Sequence, residues 1–290
     1  MKQLSILSFL LFSFSAYCQN LSTAWEELTG PDFVLAVKKS EGVCIIPMGV
    51  IEKHGAHLPL GTDVYTSREV SRRATEKEYC IVYPYYFVGQ IFEAKHQPGT
   101  IAYSSEMIYQ FLDETCQEIA RNGIKKIILV NGHGGNPAFL EFFCQSQLAK
   151  QKDYAVYFFK PFVDDETEAK IAKMRKSTTG GHADEVESSE MLVIRPDLVK
   201  LDRATTQPGV DMNRLKLDNA YTGIWWYSKF PNHYAGDAKD ASAALGAVSL
   251  EQQVKQLAEV IKAVKADQAT LRLQNEFFKE SSMPIETKVK

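Results

Sequence analysis

The 290-residue chain has little charge of one sign, no CxxC pair, no internal repeat and no low-complexity tract. Each absence closes off a class of function. A formal net charge of −3, with 24% charged residues, leaves no basic footprint for nucleic acid. Without paired cysteines there is no CxxC redox or zinc-ribbon motif. Without a repeat, a solenoid or propeller is excluded. Beyond the first 14 residues no long apolar run follows, so no membrane span is expected in the mature protein. At 45% apolar residues the chain suits one sizeable α/β domain or two small ones.

The N-terminus reads as a secretory signal. Met1-Lys2 precedes a short apolar stretch from Leu4 to Phe14, and Ala16-Tyr17-Cys18 places small residues at −3 and −1 of a cut before Gln19. Residues 1–18 are thus expected to be removed, leaving an exported, periplasmic product. Lipidation at Cys18 is the rival, although Tyr17 is bulky for it. Cys44, Cys80, Cys116 and Cys144 each fall within an apolar pattern, which favours buried free thiols.

Strand-like runs at Val43–Met48, Cys80–Val88, Lys126–Val130 and Tyr154–Phe159 alternate with helical patterns. Ser105–Asn122 repeats apolar residues every three to four positions and stops at Gly123. Pro137–Lys150 opens with proline at a first helical position. This alternation predicts βαβ units and a mainly parallel sheet covered on both faces. Leu250–Phe278 reads as one long amphipathic helix, residues 200–235 as loops, and 281–290 as a flexible tail after a single domain over 19–280.

Two strands end in chemistry. Ile45 to Met48 runs into Gly49-Val50-Ile51-Glu52-Lys53-His54, with Asp63 after a Gly/Pro-rich loop. Ile127 to Val130 runs into Asn131-Gly132-His133-Gly134-Gly135-Asn136. Ligands bind at the carboxyl ends of strands in open α/β sheets. Glu52 and His54, two apart on extended chain, point to one side. Together with Asp63 and His133 they suit a divalent ion such as zinc, manganese or iron. Four ligands exceed the need of one catalytic zinc, so a shared carboxylate, Asp63, could bridge two ions. A metal hydrolase is the leading reading.

These runs resemble a known family. Gly49 to Asp63 is similar to the first motif of the creatininase (creatinine amidohydrolase) family, and Asn131 to Asn136 to its second. His182-Ala183-Asp184-Glu185-Val186-Glu187-Ser188-Ser189, leading to Arg195-Pro196-Asp197, is similar to the third. His96-Gln97-Pro98-Gly99-Thr100 and Gly236-Asp237 match further segments in order. The resemblance implies a three-layer α/β/α sandwich, one or two divalent metals (Zn, Mn or Fe) and a homo-oligomer, commonly a hexamer. It implies hydrolysis of a C–N bond in a small-molecule amide, often a cyclic amide or formamide. By position Glu52, His54, Asp63 and His133 take ligand roles, and His182 a catalytic place beside the substrate.

Two positions depart from the creatinine-hydrolysing members. Where those carry a metal-binding Glu two residues after the second-motif His, this chain has Gly135. Glu185 is the expected substitute, as ligand or as catalytic acid, with Glu187 in reserve. Both also read as ordinary first-turn helix carboxylates. Where those members carry Trp four residues before the third-motif His, this chain has Thr178, so creatinine is not the expected substrate. His57 reads as a supporting residue, His96 as a pocket or cap residue, and His233 as surface. Trp225-Trp226-Tyr227 reads as a pocket lid or a subunit contact. The alternatives are a metallo-peptidase on a short peptide and a family member that binds metal without turnover.

Overall fold

The computed structural model describes residues 21–287 and 289, so the predicted signal segment lies outside the described residues. Four parallel strands form one sheet in the order β2-β1-β3-β4. They are β1 (Val43–Met48), β2 (Ile81–Val82), β3 (Lys126–Asn131) and β4 (Ala155–Phe159). The helices between and after them are α1 (Gly30–Lys39), α2 (Thr62–Lys77), α3 (Ser105–Arg121), α4 (Pro137–Ser146), α5 (Asp165–Met174), α6 (Glu185–Ile194), α7 (Trp225–Lys229), α8 (Ala243–Ala266) and α9 (Ala269–Ser281).

Side chains alternate across the pleat, and both faces of β1 and β3 are buried. Cys44, Ile46, Met48, Ile127 and Leu129 pack against Ala36 of α1, Leu112 and Ile119 of α3, and Leu140 and Phe143 of α4. Val43, Ile45, Ile128 and Val130 pack against Val70 and Ala74 of α2 and Leu250, Val254, Leu257 and Ile261 of α8. The result is the expected three-layer α/β/α sandwich.

The sheet winds outward both ways from β1 and β3. Chain order takes β1 to β2 on one side, then crosses back so that β3 lies on the other. The crevice between the carboxyl ends of β1 and β3 is therefore the topological switch point, where such folds bind ligands. Among the described residues no helix is long and apolar enough to cross a membrane. Cys44, Cys80, Cys116 and Cys144 are free, the first three buried.

Some elements differ from their sequence patterns. The run expected at Cys80–Val88 ladders only at Ile81–Val82, with Tyr83 N–H adding one bond to Ile45 O, and returns as one bridge, Met48 to Tyr86. The long C-terminal helix starts earlier, capped by Ser242, and breaks at Asp267. There the Asp267 carboxylate accepts the N–H groups of Ala269 and Thr270 and opens α9. The tail past Ser281 contains a further 3₁₀ turn, Pro284–Glu286. Within the 200–235 loops lies the short helix α7.

Candidate metal centre

The loop after β1 is pinned by Glu52 N–H to Leu60 O and by a bridge between His54 and Leu58. It delivers Glu52 and His54, both fully buried, to the crevice. Asp63 enters from the first turn of α2. That turn sits directly on the strand ends, because Gly132 leaves room for Asp63 O and Gly49 for the backbone of Val64; a Cβ on either would lie 2.4 Å from them. His133 follows β3. Asn131 holds its loop by accepting from His133 N–H and donating to His133 O, and Asn136 donates to Asn131 Oδ1.

The four side chains converge. His133 Nδ1 lies 2.7 Å from Glu52 Oε1 and 3.1 Å from Asp63 Oδ2. Yet both oxygens remain buried without a hydrogen-bond partner. With His133 they gather ligand atoms within 4.8 Å of one another, a set that suits a divalent cation. The other oxygen of Asp63, Oδ1, is 2.8 Å from His54 Nε2. His54 Nδ1 lies 3.2 Å from the Glu52 carbonyl, which can only accept, so Nδ1 carries a proton and Nε2 is the ligand nitrogen. Asp63 thus presents one oxygen to each of two imidazoles.

Among the described residues three groups could hold a cation: Glu52, Asp63 and His133; His54, His182 and Glu187; and Glu52, His182 and His233. The first two lie on either side of Asp63. Glu187, held in reserve on sequence, is the carboxylate brought to His54; it also accepts from Ala183 N–H. Glu185 is not brought to the cluster. Its carboxylate turns back to accept the N–H groups of Lys176 and Ser177. Asp184 caps α6 through Val186 and Glu187 N–H. One residue further into the helix, Glu185 points away from the crevice, and two further Glu187 points into it.

His233, expected at the surface, is instead buried against Glu52. Its tautomer is fixed. Trp226 Nε1–H can only donate and reaches His233 Nδ1 at 3.0 Å, so His233 Nε2–H donates to Glu52 Oε2. His233 also holds φ at +50°, an uncommon backbone state for a non-glycine residue. His182 donates Nε2–H to Lys53 O at 2.8 Å, and its ring lies 4.3 Å from that of His54 and 4.4 Å from that of His233. His57 stays outside, joined to Ser188 Oγ at 2.8 Å and edge-on to Tyr234. His96 is exposed and bonds Pro231 O.

The charges follow from this packing. Burial alone would raise the Glu52 carboxyl, but the His133 charge, with hydrogen bonds from His133 and His233, outweighs it and holds it well below the usual carboxylate range. Burial works against protonation of His54, yet Asp63 and Glu52 raise it to about 10. His133 is raised well above its ordinary value by Glu52 and Asp63 against the same burial. Protons on these imidazoles stand where cations would balance the carboxylates. Burial lowers His182 to about 3 despite Glu52, with His54 and His233 adding to the fall, so it is neutral. Burial pushes Glu187 up to about 8, with Asp184 and Asp63 assisting.

A cleft of about 580 Å³ opens beside the centre, lined by Gln90, Glu93, His96, Trp225 and Tyr227 among others. Trp226 turns inward from the same helix, 6.0 Å from the His182 ring.

Comparison with known proteins agrees with this geometry. The Creatininase (creatinine amidohydrolase) family model matches residues 26–261. The chain is 28% identical over 198 residues to creatinine amidohydrolase of Pseudomonas putida, covering 63% of this chain and 75% of that protein. It is 27% identical over 211 residues to the mycofactocin precursor peptide peptidase of Mycobacterium ulcerans, covering 70% and 77%. A crystal structure of creatinine amidohydrolase superposes with a TM-score of 0.70 at 25% identity, over 83% of this chain and 96% of the other. With its matched span, its fold and its strand-end carboxylates and imidazoles in agreement, the chain belongs to the creatininase family.

Proposed function

We propose that this metal-dependent, creatininase-family hydrolase cleaves a C–N bond in a small cyclic amide or formamide. One or two divalent ions (zinc, manganese or iron) would be held by Glu52, His54, Asp63, His133 and Glu187. The carrying observation is Asp63, whose two oxygens face different imidazoles, with the unpartnered Glu52 Oε1 on one side. That is the disposition of a bridging carboxylate. Ions held there would supply a water of near-neutral pKa and polarise the substrate carbonyl.

The chain's own groups supply the rest. His182 commits its Nε2–H to Lys53 O, which leaves Nδ1 to relay a proton from the attacking water to the leaving nitrogen. His233 and Trp226 lock Glu52 in one orientation. Burial of the cluster keeps bulk water out and strengthens each of these interactions. Thr178 leaves the third motif without its aromatic, while Trp226 stands beside His182 from another segment. This supports a substrate other than creatinine.

A short-peptide substrate is the second reading. The similarity to a precursor peptide peptidase favours it, as does a cleft in the size range of drug-sized ligands. We further read the chain as an exported, periplasmic homo-oligomer. The segment ending Ala16-Tyr17-Cys18 supports export, and exposed Tyr85, Phe111 and Phe142 support subunit contacts. The test is metal content of the Gln19–Lys290 protein, followed by turnover on cyclic amides, formamides and short peptides. Metal with amide turnover supports the first reading, and metal with peptide turnover only supports the second. Metal with neither would mark a non-catalytic member, and no metal would overturn both.

A further inference from the structure

Three polar atoms crowd around Gly135. A Cβ built on it would lie 2.5 Å from His133 Nε2, 2.8 Å from Glu93 Oε1 and 3.3 Å from Gln90 O. His133 Nε2 is buried and has no hydrogen-bond partner, although Nδ1 of the same ring faces Glu52 and Asp63. A histidine that ligates through one nitrogen needs an acceptor at the other, which fixes its tautomer and ring angle. Glu93 and Gln90 stand beside Gly135 but make no direct bond to Nε2.

One water between these atoms would satisfy all three: it would accept from His133 Nε2–H and donate one hydrogen to Glu93 Oε1 and the other to Gln90 O. Buried waters typically make about three such bonds to groups that otherwise lack partners. We propose that Glu93 is a positioning residue for His133, acting through a water that bridges its Oε1 to Nε2 of the ring. The inference rests on the metal reading above.

The surroundings are built for this. Gln90 Nε2 donates to Glu93 Oε2 at 3.0 Å, which leaves Oε1 on the Gly135 side. Gln90 N–H donates to Asn136 Oδ1 at 2.9 Å, and Asn136 in turn donates to the Asn131 that brackets His133. The 3₁₀ turn Phe92–Ala94 is therefore tied to the His133 loop by side-chain bonds at the same place.

The test uses the full mature chain and reads metal affinity by chelator competition, alongside kcat and KM. Glu93→Ala is expected to weaken metal binding by about 10–100-fold, the usual cost of losing such a partner. Glu93→Gln keeps an acceptor oxygen and should stay within a few-fold of the unsubstituted chain. Gly135→Ala sets a methyl 2.5 Å from His133 Nε2, so it moves the ring itself and should weaken binding at least as far as Glu93→Ala. Combining the two should cost no more than Gly135→Ala alone, because the displaced ring has already lost the bridge to Glu93. Wild-type affinity in Glu93→Ala, or additive losses in the double variant, would overturn the inference. Should Gly135→Ala fail to fold, the Glu93→Ala and Glu93→Gln pair decides on its own. An unsubstituted chain that binds no metal would sink the metal reading and this inference with it.

Discussion

Trp226 donates its indole N–H to His233 Nδ1 at 3.0 Å and thereby dictates what His233 does to Glu52. With Nδ1 occupied as an acceptor, the imidazole must present Nε2–H to Glu52 Oε2. A carboxylate oxygen held this way leaves its partner, Oε1, aimed at the metal position. His233→Ala is therefore expected to lower metal affinity by about 10–100-fold, and Trp226→Phe to lower it by less. Calorimetric titration of the chelated protein measures both. A larger loss from Trp226→Phe than from His233→Ala would break the relay.

Asp63→Ala should remove metal binding and turnover together. Its two oxygens serve the His54 side and the His133 side, so no single group on either side can replace it. Elemental analysis reads this directly. Retention of two ions in the variant would end the bridged arrangement.

Glu187 and Glu185 should separate cleanly. Glu187 lies with His54 and His182, whereas Glu185 accepts the Lys176 and Ser177 N–H groups. Glu187→Gln is expected to reduce metal content from about two ions to one if two are bound. Glu185→Gln should leave metal content unchanged and cost about 1–3 kcal/mol of stability through unpaired backbone donors. Metal loss confined to Glu185→Gln would restore the sequence-based choice.

That choice shows what the sequence could and could not carry. Strands β1 and β3 were legible because buried strands of a parallel sheet read as continuous apolar runs ending at glycine. Glu52, His54, Asp63 and His133 were legible for the same reason, since each lies within a few residues of such an end or its loop. Helix α2 carried no such pattern. Its buried face is Val64, Ser67, Val70, Ser71 and Ala74, small and half polar, because it lies close against the strand ends. His233 was illegible because it reaches Glu52 across 181 positions from a stretch without periodicity. The one local hint was the pair of tryptophans beside it. Between Glu185 and Glu187, helix phase decides, and phase depends on where Asp184 caps α6.

The metal-free protein should have a stability optimum on the acid side of neutrality. Glu52 is held below its ordinary 4.5, so its contribution is present above that pH and is lost as pH falls toward the depressed value. His54 is raised from 6.5 to about 10, so its contribution is full below pH 6.5 and disappears as pH climbs through 10. His133, raised as well, acts in the same direction. Thermal melting of chelated protein should therefore peak between about pH 4.5 and 6.5 and decline above it. Metal must displace the same protons, so the stabilisation it gives should grow with pH over that declining range. A chelated protein that gains stability steadily from pH 6.5 to 9 would contradict the protonated-imidazole cluster.

His182→Ala should keep the metal and lose the chemistry. His182 is neutral, and its one fixed bond, to Lys53 O, orients the ring without using Nδ1. A positioned base or acid of this kind typically accounts for about 10²–10⁴ in rate. The expected result is a kcat lower by that factor, with metal content unchanged and KM little altered. His182→Gln can still donate to Lys53 O but cannot shuttle a proton, so it should be as slow as His182→Ala. Recovery of the rate in His182→Gln would make the residue a structural strut, and loss of metal in either variant would make it a ligand.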